Sequence, residues 1–184
     1  MSFELLTNRL RLRSWRQSDV NEWARLCADA EVMRYFPGVL DIMEATNWID
    51  RQQRTETRHG YCFWVLERRS DDQFLGMTGL HPLTLQRVPD GSVEVGYRLH
   101  KAFWNQGYAT EAARACATYA DQQLQLPELY AVASKINAPS IRVMEKMEMT
   151  LRTTFVHPAI PLVSPLQPCV LYRKIFDQRS TSIS

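Results

Sequence analysis

The residues with the clearest chemical promise are Trp104-Asn105-Gln106-Gly107-Tyr108-Ala109-Thr110-Glu111. They follow a stretch of strand character and precede small and apolar residues at helical spacing: Ala112, Cys116, Tyr119, Ala120 and Leu124. A helix that starts here exposes unpaired backbone N–H groups and the positive end of its dipole. Gly107 allows the chain a tight approach, and Ala109 keeps the lip of the helix low. The result is an anion cradle suited to phosphate. It is not a Walker loop, because no Gly-Lys-Ser/Thr follows, and the GxGxxG dinucleotide pattern is absent. The bland reading of the same residues is an ordinary strand-to-helix turn.

Other reactive types point nowhere so definite. His59, His81, His100 and His157 are scattered without ligand spacing, so no metal is expected. They read as surface or satisfied core residues, although His100 and His157 could line a groove. Cys27, Cys62, Cys116 and Cys169 form no CxxC pair, and free thiols fit a reducing compartment. The N-terminus has no basic segment leading into an apolar run. The longest stretch without Asp, Glu, Lys or Arg, Phe155 to Tyr172, carries Pro158, Pro161, Pro165 and Pro168, which a spanning helix would not tolerate. A cytoplasmic protein with no membrane partner is therefore expected. Charge is nearly balanced, 22 basic against 20 acidic residues, so no nucleic-acid footprint is expected either. With 184 residues, 45% apolar and 23% charged, the chain reads as one globular domain over 1–178, with 179–184 as a flexible tail.

The elements that must hold the 104–111 segment follow from periodicity. Thr7 to Trp15 alternates as a strand, with Arg9, Arg11 and Arg13 on one face that should be solvated. Ser18-Asp19 offers a cap for a helix carrying Val20, Trp23, Ala24 and Cys27, and a second helix spans roughly 42–54. Strands are predicted at 61–68, 74–83 and 92–99, with Asp90-Gly91 as the turn before the last. After the small-residue helix come a strand at 129–133, a helix at 139–147, and strands at 149–156 and 169–176. Interleaved strands and helices across the whole length make an α+β fold.

Three linked stretches give the cradle a context: Glu94-Val95-Gly96-Tyr97-Arg98-Leu99, then Trp104 to Ala112, then Asn137-Ala138-Pro139-Ser140 with Val143, Glu145 and Lys146. In this order they resemble the GNAT superfamily of acyl-CoA-dependent N-acyltransferases, closest to the branch typified by ribosomal-protein alanine acetyltransferases (RimJ/RimL-like). Thr7 to Arg13 and Val170-Leu171-Tyr172 are similar to that branch too, so the resemblance spans nearly the whole chain. It implies a mixed, twisted sheet of about six or seven strands with helices on both faces and splayed central strands. It also implies acetyl-CoA as co-substrate, with Gln106, Gly107, Tyr108, Ala109 and Thr110 around its pyrophosphate. Backbone near Leu99 would pair with the pantetheine arm, and Asn137 would bond it while also capping the helix that follows.

The implied reaction is direct attack of a primary amine on the acetyl thioester. The amine must lose a proton, the oxyanion needs a hydrogen-bond donor, and the thiolate must be protonated as it leaves. The resemblance places the base at Glu94, acting through a water, where a solvated strand carboxylate is the alternative. Many family members carry a Tyr seven residues after the Asn. Here that position is Met144, which moves the expected proton donor to Ser140. The family's usual Gly after the second helix is Glu148, which costs about 1 kcal/mol if a positive φ is needed. The acceptor is a protein N-terminal α-amine or a small-molecule amine. The helices before Arg54, the Met33 to Pro37 connection and the loop after Val156 would decide between them. A non-catalytic acyl-CoA-binding module is the reading from a different class. Monomer and homodimer both remain open.

Overall fold

The computed structural model describes residues 3–177. The tail assigned to 179–184 lies outside the described residues. In chain order the elements are β1 (Glu4–Leu6), β2 (Leu10–Arg13), α1 (Val20–Ala28), α2 (Ile42–His59), β3 (Phe63–Arg68), β4 (Gln73–Pro82), β5 (Val93–Leu99), α3 (Tyr108–Gln122), β6 (Glu128–Ser134), α4 (Ala138–Lys146), β7 (Thr150–Phe155) and β8 (Cys169–Ile175). They form an eight-stranded sheet in the order β1-β2-β3-β4-β5-β6-β8-β7. Every neighbouring pair is antiparallel except β5 and β6, which run parallel.

The extra strand comes from the N-terminus. It precedes the 7–15 alternation, of which only Leu10–Arg13 is strand: the Thr7 N–H bonds the Leu10 carbonyl at 2.9 Å, closing a tight turn between β1 and β2. Two other bounds differ. α2 runs past its apolar stripe to His59 and stops at Gly60, whose φ of 78° is the left-handed conformation that ends a helix. Asp41 and Glu44 start that helix with a reciprocal capping box. After α4, Glu148 does adopt a positive φ, 61°.

Alternation along the strands assigns the faces. Trp64 of β3 meets Tyr119 of α3 edge-on, with ring centroids 5.8 Å apart. Its neighbour Phe63 lies parallel to Trp48 of α2, centroids 6.4 Å apart. Helices α3 and α4 therefore cover one face of the central strands, and α1 and α2 the other. Trp23, Trp64, Leu10, Leu12, Leu66 and Leu75 are fully buried between these layers. Burying a side chain of this size is worth about 1.5–3 kcal/mol.

The arginine face departs from expectation. Arg13 is only 6% exposed, because alternation turns it under α1 and α2. Its Nη1 and Nη2 each donate to Asp19 at 2.8 Å, and its Nε donates to Glu67 at 2.8 Å. Losing one member of such a buried set costs about 3–5 kcal/mol, because its partners keep their desolvated charges. Arg11 reaches toward Glu67 and Asp72. Arg9 has left the strand altogether and stands beside α3.

Candidate active site

β5 divides the site. It pairs with β6 at one register position, Glu94↔Tyr130, and beyond it the two strands part. The His100 N–H bonds the Leu75 carbonyl at 2.8 Å, so the even-numbered backbone groups of β5 belong to β4. Those of Val95, Tyr97 and Leu99 face the opening. The Leu99 carbonyl is already used, accepting the Trp104 Nε1–H at 2.8 Å. Backbone pairing by an extended arm in the opening therefore falls to Val95 and Tyr97 and to the Leu99 N–H.

At the end of β5 the chain turns into α3. Gly107 is the N-cap, with φ 82°, and no side chain caps the helix. The first helical hydrogen bond runs from the Glu111 N–H to the Gly107 carbonyl at 3.0 Å. The N–H groups of Tyr108, Ala109 and Thr110 precede it and have no helical partner. A Cβ on Gly107 would come within 3.4 Å of an Arg9 guanidinium nitrogen. Gln106 is exposed; its side chain donates to the Ala102 carbonyl, and its own carbonyl accepts from Arg9. The Glu111 carboxylate, which could have filled the cradle from within, is instead bound by Thr7 Oγ1, the Arg9 N–H and Arg9 Nε. Those hydrogen bonds hold it below its usual titration range against the opposing effect of partial burial. The cradle stays open to an anion, and the fit to a pyrophosphate is good.

Two arginines at this lip escaped sequence reasoning. Arg9 lies over the Tyr108 ring, 4.5 Å from its centroid. Arg68 bonds Asp71 and lies over the Phe103 ring, 5.6 Å from its centroid. The positive lip is thus backbone and guanidinium together. Only the tight β1–β2 turn puts Arg9 there, and alternation gave no hint of it.

Asn137 and Ser140 come together on the α3/α4 side. Asn137 caps α4, its Oδ1 accepting the Ser140 N–H at 3.1 Å. The Tyr97 hydroxyl crosses from β5, donates to the Ser140 carbonyl at 2.9 Å and lies 3.0 Å from Ser140 Oγ. Burial pushes the Tyr97 phenol well above its usual range. Met144, at 1% exposure, belongs to the core.

Glu94 lies on the opposite face. Among the described residues its carboxylate makes no hydrogen bond, and desolvation raises its pKa to about 7. Directly across on β4 is His81. Its Nδ1 lies 3.0 Å from the Pro82 carbonyl, and burial lowers its pKa, which leaves Nε2 as a free acceptor. The His81 ring stacks on Phe63 at 5.0 Å, and Phe63 covers Gly96, where a Cβ would meet the ring at 2.6 Å. His100 and His157 are elsewhere: each takes a backbone N–H in its own loop. His81 was detectable only through the β4–β5 register.

Carboxylate and serine thus stand on opposite sides of one opening between splayed strands, with the open helix N-terminus at its end. Among the described residues no helix is long and apolar enough to cross a membrane.

Comparisons with known proteins agree with this geometry. The family described as "Acetyltransferase (GNAT) domain" matches residues 9–150. The uncharacterized protein YkkB of Bacillus subtilis (strain 168) is 35% identical over 148 residues, 79% of this chain and 84% of the relative. The fold is similar to that of a GNAT-family acetyltransferase from Bacillus anthracis, with a TM-score of 0.80 at 23% identity over 94% of this chain and 98% of that one. It is also similar to RimL, a ribosomal alpha-N-protein acetyltransferase solved with coenzyme A, with a TM-score of 0.78 at 17% identity over 95% and 99%. A family match over most of the chain, on a sheet whose parallel pair splays beside an uncapped helix start, leads to one conclusion: the chain belongs to the GNAT acetyltransferase family and is an acetyl-CoA-dependent acyltransferase.

Proposed function

We propose that the protein transfers an acetyl group from acetyl-CoA to a primary amine that enters from the α1/α2 face. The observation that carries this reading is the desolvated Glu94 carboxylate, poised at about 7 on the far side of the opening from the α3 N-terminus. A base near neutrality both accepts a proton and is regenerated at working pH.

Acetyl-CoA supplies the activated thioester. The N–H groups at Tyr108, Ala109 and Thr110 hold its pyrophosphate, helped by Arg9, with the Thr110 hydroxyl as a further donor. Asn137 and the gap-facing backbone of β5 orient the pantetheine arm. Glu94 takes the ammonium proton through a water, and His81 beside it positions that water through Nε2. An N–H of β5 near Leu99 meets the oxyanion. Ser140 Oγ–H protonates the departing sulfur. The Tyr97 hydroxyl anchors the start of α4 through the Ser140 carbonyl, which leaves the Ser140 Oγ–H available to the sulfur.

A titrating carboxylate without a partner has no purpose in a module that merely binds acyl-CoA, which favours catalysis over sensing. The likeness to RimL makes a protein N-terminal α-amine the first acceptor to try, with small-molecule amines second. The test is a thiol-release assay with acetyl-CoA and an amine panel that includes peptides with free N-terminal Ala or Ser. No turnover above the hydrolysis background across the panel would sink the proposal.

A further inference from the structure

Arg98 is the odd residue of the acceptor face. It shares that face with Glu94, four residues away along β5, a Cα separation of roughly 13 Å at strand rise. Its guanidinium lies 3.7 Å from the centroid of Phe36, on the connection between α1 and α2, and 5.3 Å from that of Trp23 on α1. Nη1 spends its contact on Cys27 Sγ at 3.5 Å, a weak acceptor. Nε is buried with no partner, and no carboxylate pairs with the group among the described residues. Of the other arginines near the site, Arg9 has Glu111, Arg68 has Asp71, and Arg13 has Asp19 and Glu67, whereas the exposed Arg34 lies over the rings of Tyr35 and Trp104.

Across the opening stands a second orphan. Ser134 ends β6 at 6% exposure, and its Oγ is buried without a partner. By strand alternation it lies on the same side of the sheet as Tyr130, Glu94 and Arg98. Of the two unmatched donors, the cationic one, Arg98, lies on the α1/α2 face beside Glu94. A desolvated guanidinium without a counter-ion is unfavourable unless something anionic completes it. A carboxylate matches its fork geometry.

We infer that Arg98 is the anion subsite of the acceptor pocket, so that the amine presented to Glu94 belongs to a molecule that also carries a carboxylate. This deepens the acetyl-transfer reading and rests on it. Phe36 and Trp23 pack their rings against the guanidinium. The carboxylate can come from a free amino acid or short peptide, or from an acidic side chain close behind a protein N-terminus.

The experiment compares matched acceptors in the full-length protein. One arm pairs free amino acids and dipeptides with their carboxamides. The other pairs amidated peptides Ala-Asp-Ala-Ala and Ala-Asn-Ala-Ala. The expected result is at least a tenfold higher kcat/KM for the carboxylate member in one arm, and the responding arm identifies the source. R98M should abolish that preference through KM, and R98K should keep part of it. Binding is read independently of turnover, by saturation-transfer NMR of N-acetylalanine and N-acetylalaninamide with CoA present. Wild type should bind the acid in preference, and R98M should not. Equal kcat/KM or equal binding for acid and amide would make Arg98 a packing residue and overturn the inference, while leaving acetyl transfer intact. Absence of turnover with every amine would count against acetyl transfer alone, and the NMR comparison would still decide the subsite.

Discussion

The α3/α4 side and the α1/α2 side of the sheet meet along β5, and they are built from different materials. The cofactor side is made of neighbours in sequence: Gly107 and the three amides after it, then Asn137 capping Ser140 three residues on. Its chemistry is largely backbone, and its charge comes from the uncapped end of α3 with Arg9 laid beside it. The acceptor side is assembled from distant residues. Glu94 and His81 meet through strand register, Phe63 arrives from β3, and Arg98 is closed over by Phe36. A short motif can specify the first arrangement. The second exists only after four strands and two helices have packed, so acceptor choice can change while the cofactor cradle stays the same.

The sharpest way to break this division is E94Q. Removing the base should lower kcat by about 10²–10⁴-fold while leaving calorimetric acetyl-CoA affinity within about twofold. In the wild type, log kcat/KM should rise with unit slope up to pH about 7 and then level, because the base must be ionised. A comparable loss of acetyl-CoA binding, or a flat profile between pH 6 and 8, would mean that the two sides are not separable.

The same substitution has an effect on stability of the opposite sign. The unfolded carboxyl titrates near the ordinary 4.5 and the folded one near about 7. The stabilisation tied to the protonated form is complete below the unfolded value and is lost as pH rises through the folded one. At pH 8 the wild type holds an ionised, desolvated carboxylate, so E94Q should be more stable by about 2–3 kcal/mol. At pH 4 the difference should nearly vanish. Urea melts at the two pH values would show this directly, and an equal gain at both would place the cost of Glu94 in packing rather than in its charge.

G107V tests the cofactor side. A β-branched residue at φ 82° is strained, and that strain shifts the backbone that presents the amides. Distorting amide–phosphate hydrogen bonds should weaken acetyl-CoA binding by about 10–100-fold, with relative acceptor preference preserved. A change in acceptor ranking would contradict the division. The smallest effect belongs to Y97F. Losing one hydrogen bond to Ser140 is worth about 1 kcal/mol, so kcat should fall about fivefold, with S140A falling further. If Y97F and S140A add fully in the double variant, the two hydroxyls do not act together.

Legibility followed the same line. Strand alternation and helical stripes gave β2 to β8 and the four helices within a few residues, because each pattern is local. The 7–15 alternation misled, since period two does not show that its first residues, Thr7 to Arg9, form the turn that pairs β2 with Glu4–Leu6. It sent Arg13 to solvent when the α1/α2 layer buries it with Asp19 and Glu67. His81 looked like one scattered histidine among four. Nothing in its own neighbourhood says that β4 and β5 will bring it across from Glu94.

What the chain determined by itself is the cradle: a left-handed glycine, an uncapped helix start and an Asn-x-x-Ser cap are short-range geometry, fixed by steric limits and local hydrogen bonds. What the tertiary structure decided is the environment of each charge. Desolvation moved Glu94 toward neutrality, the hairpin delivered Arg9 to the phosphate turn, and packing beneath Phe36 left Arg98 without a counter-ion. Those outcomes depend on which distant surfaces exclude water, and no spacing of residues along the chain encodes that.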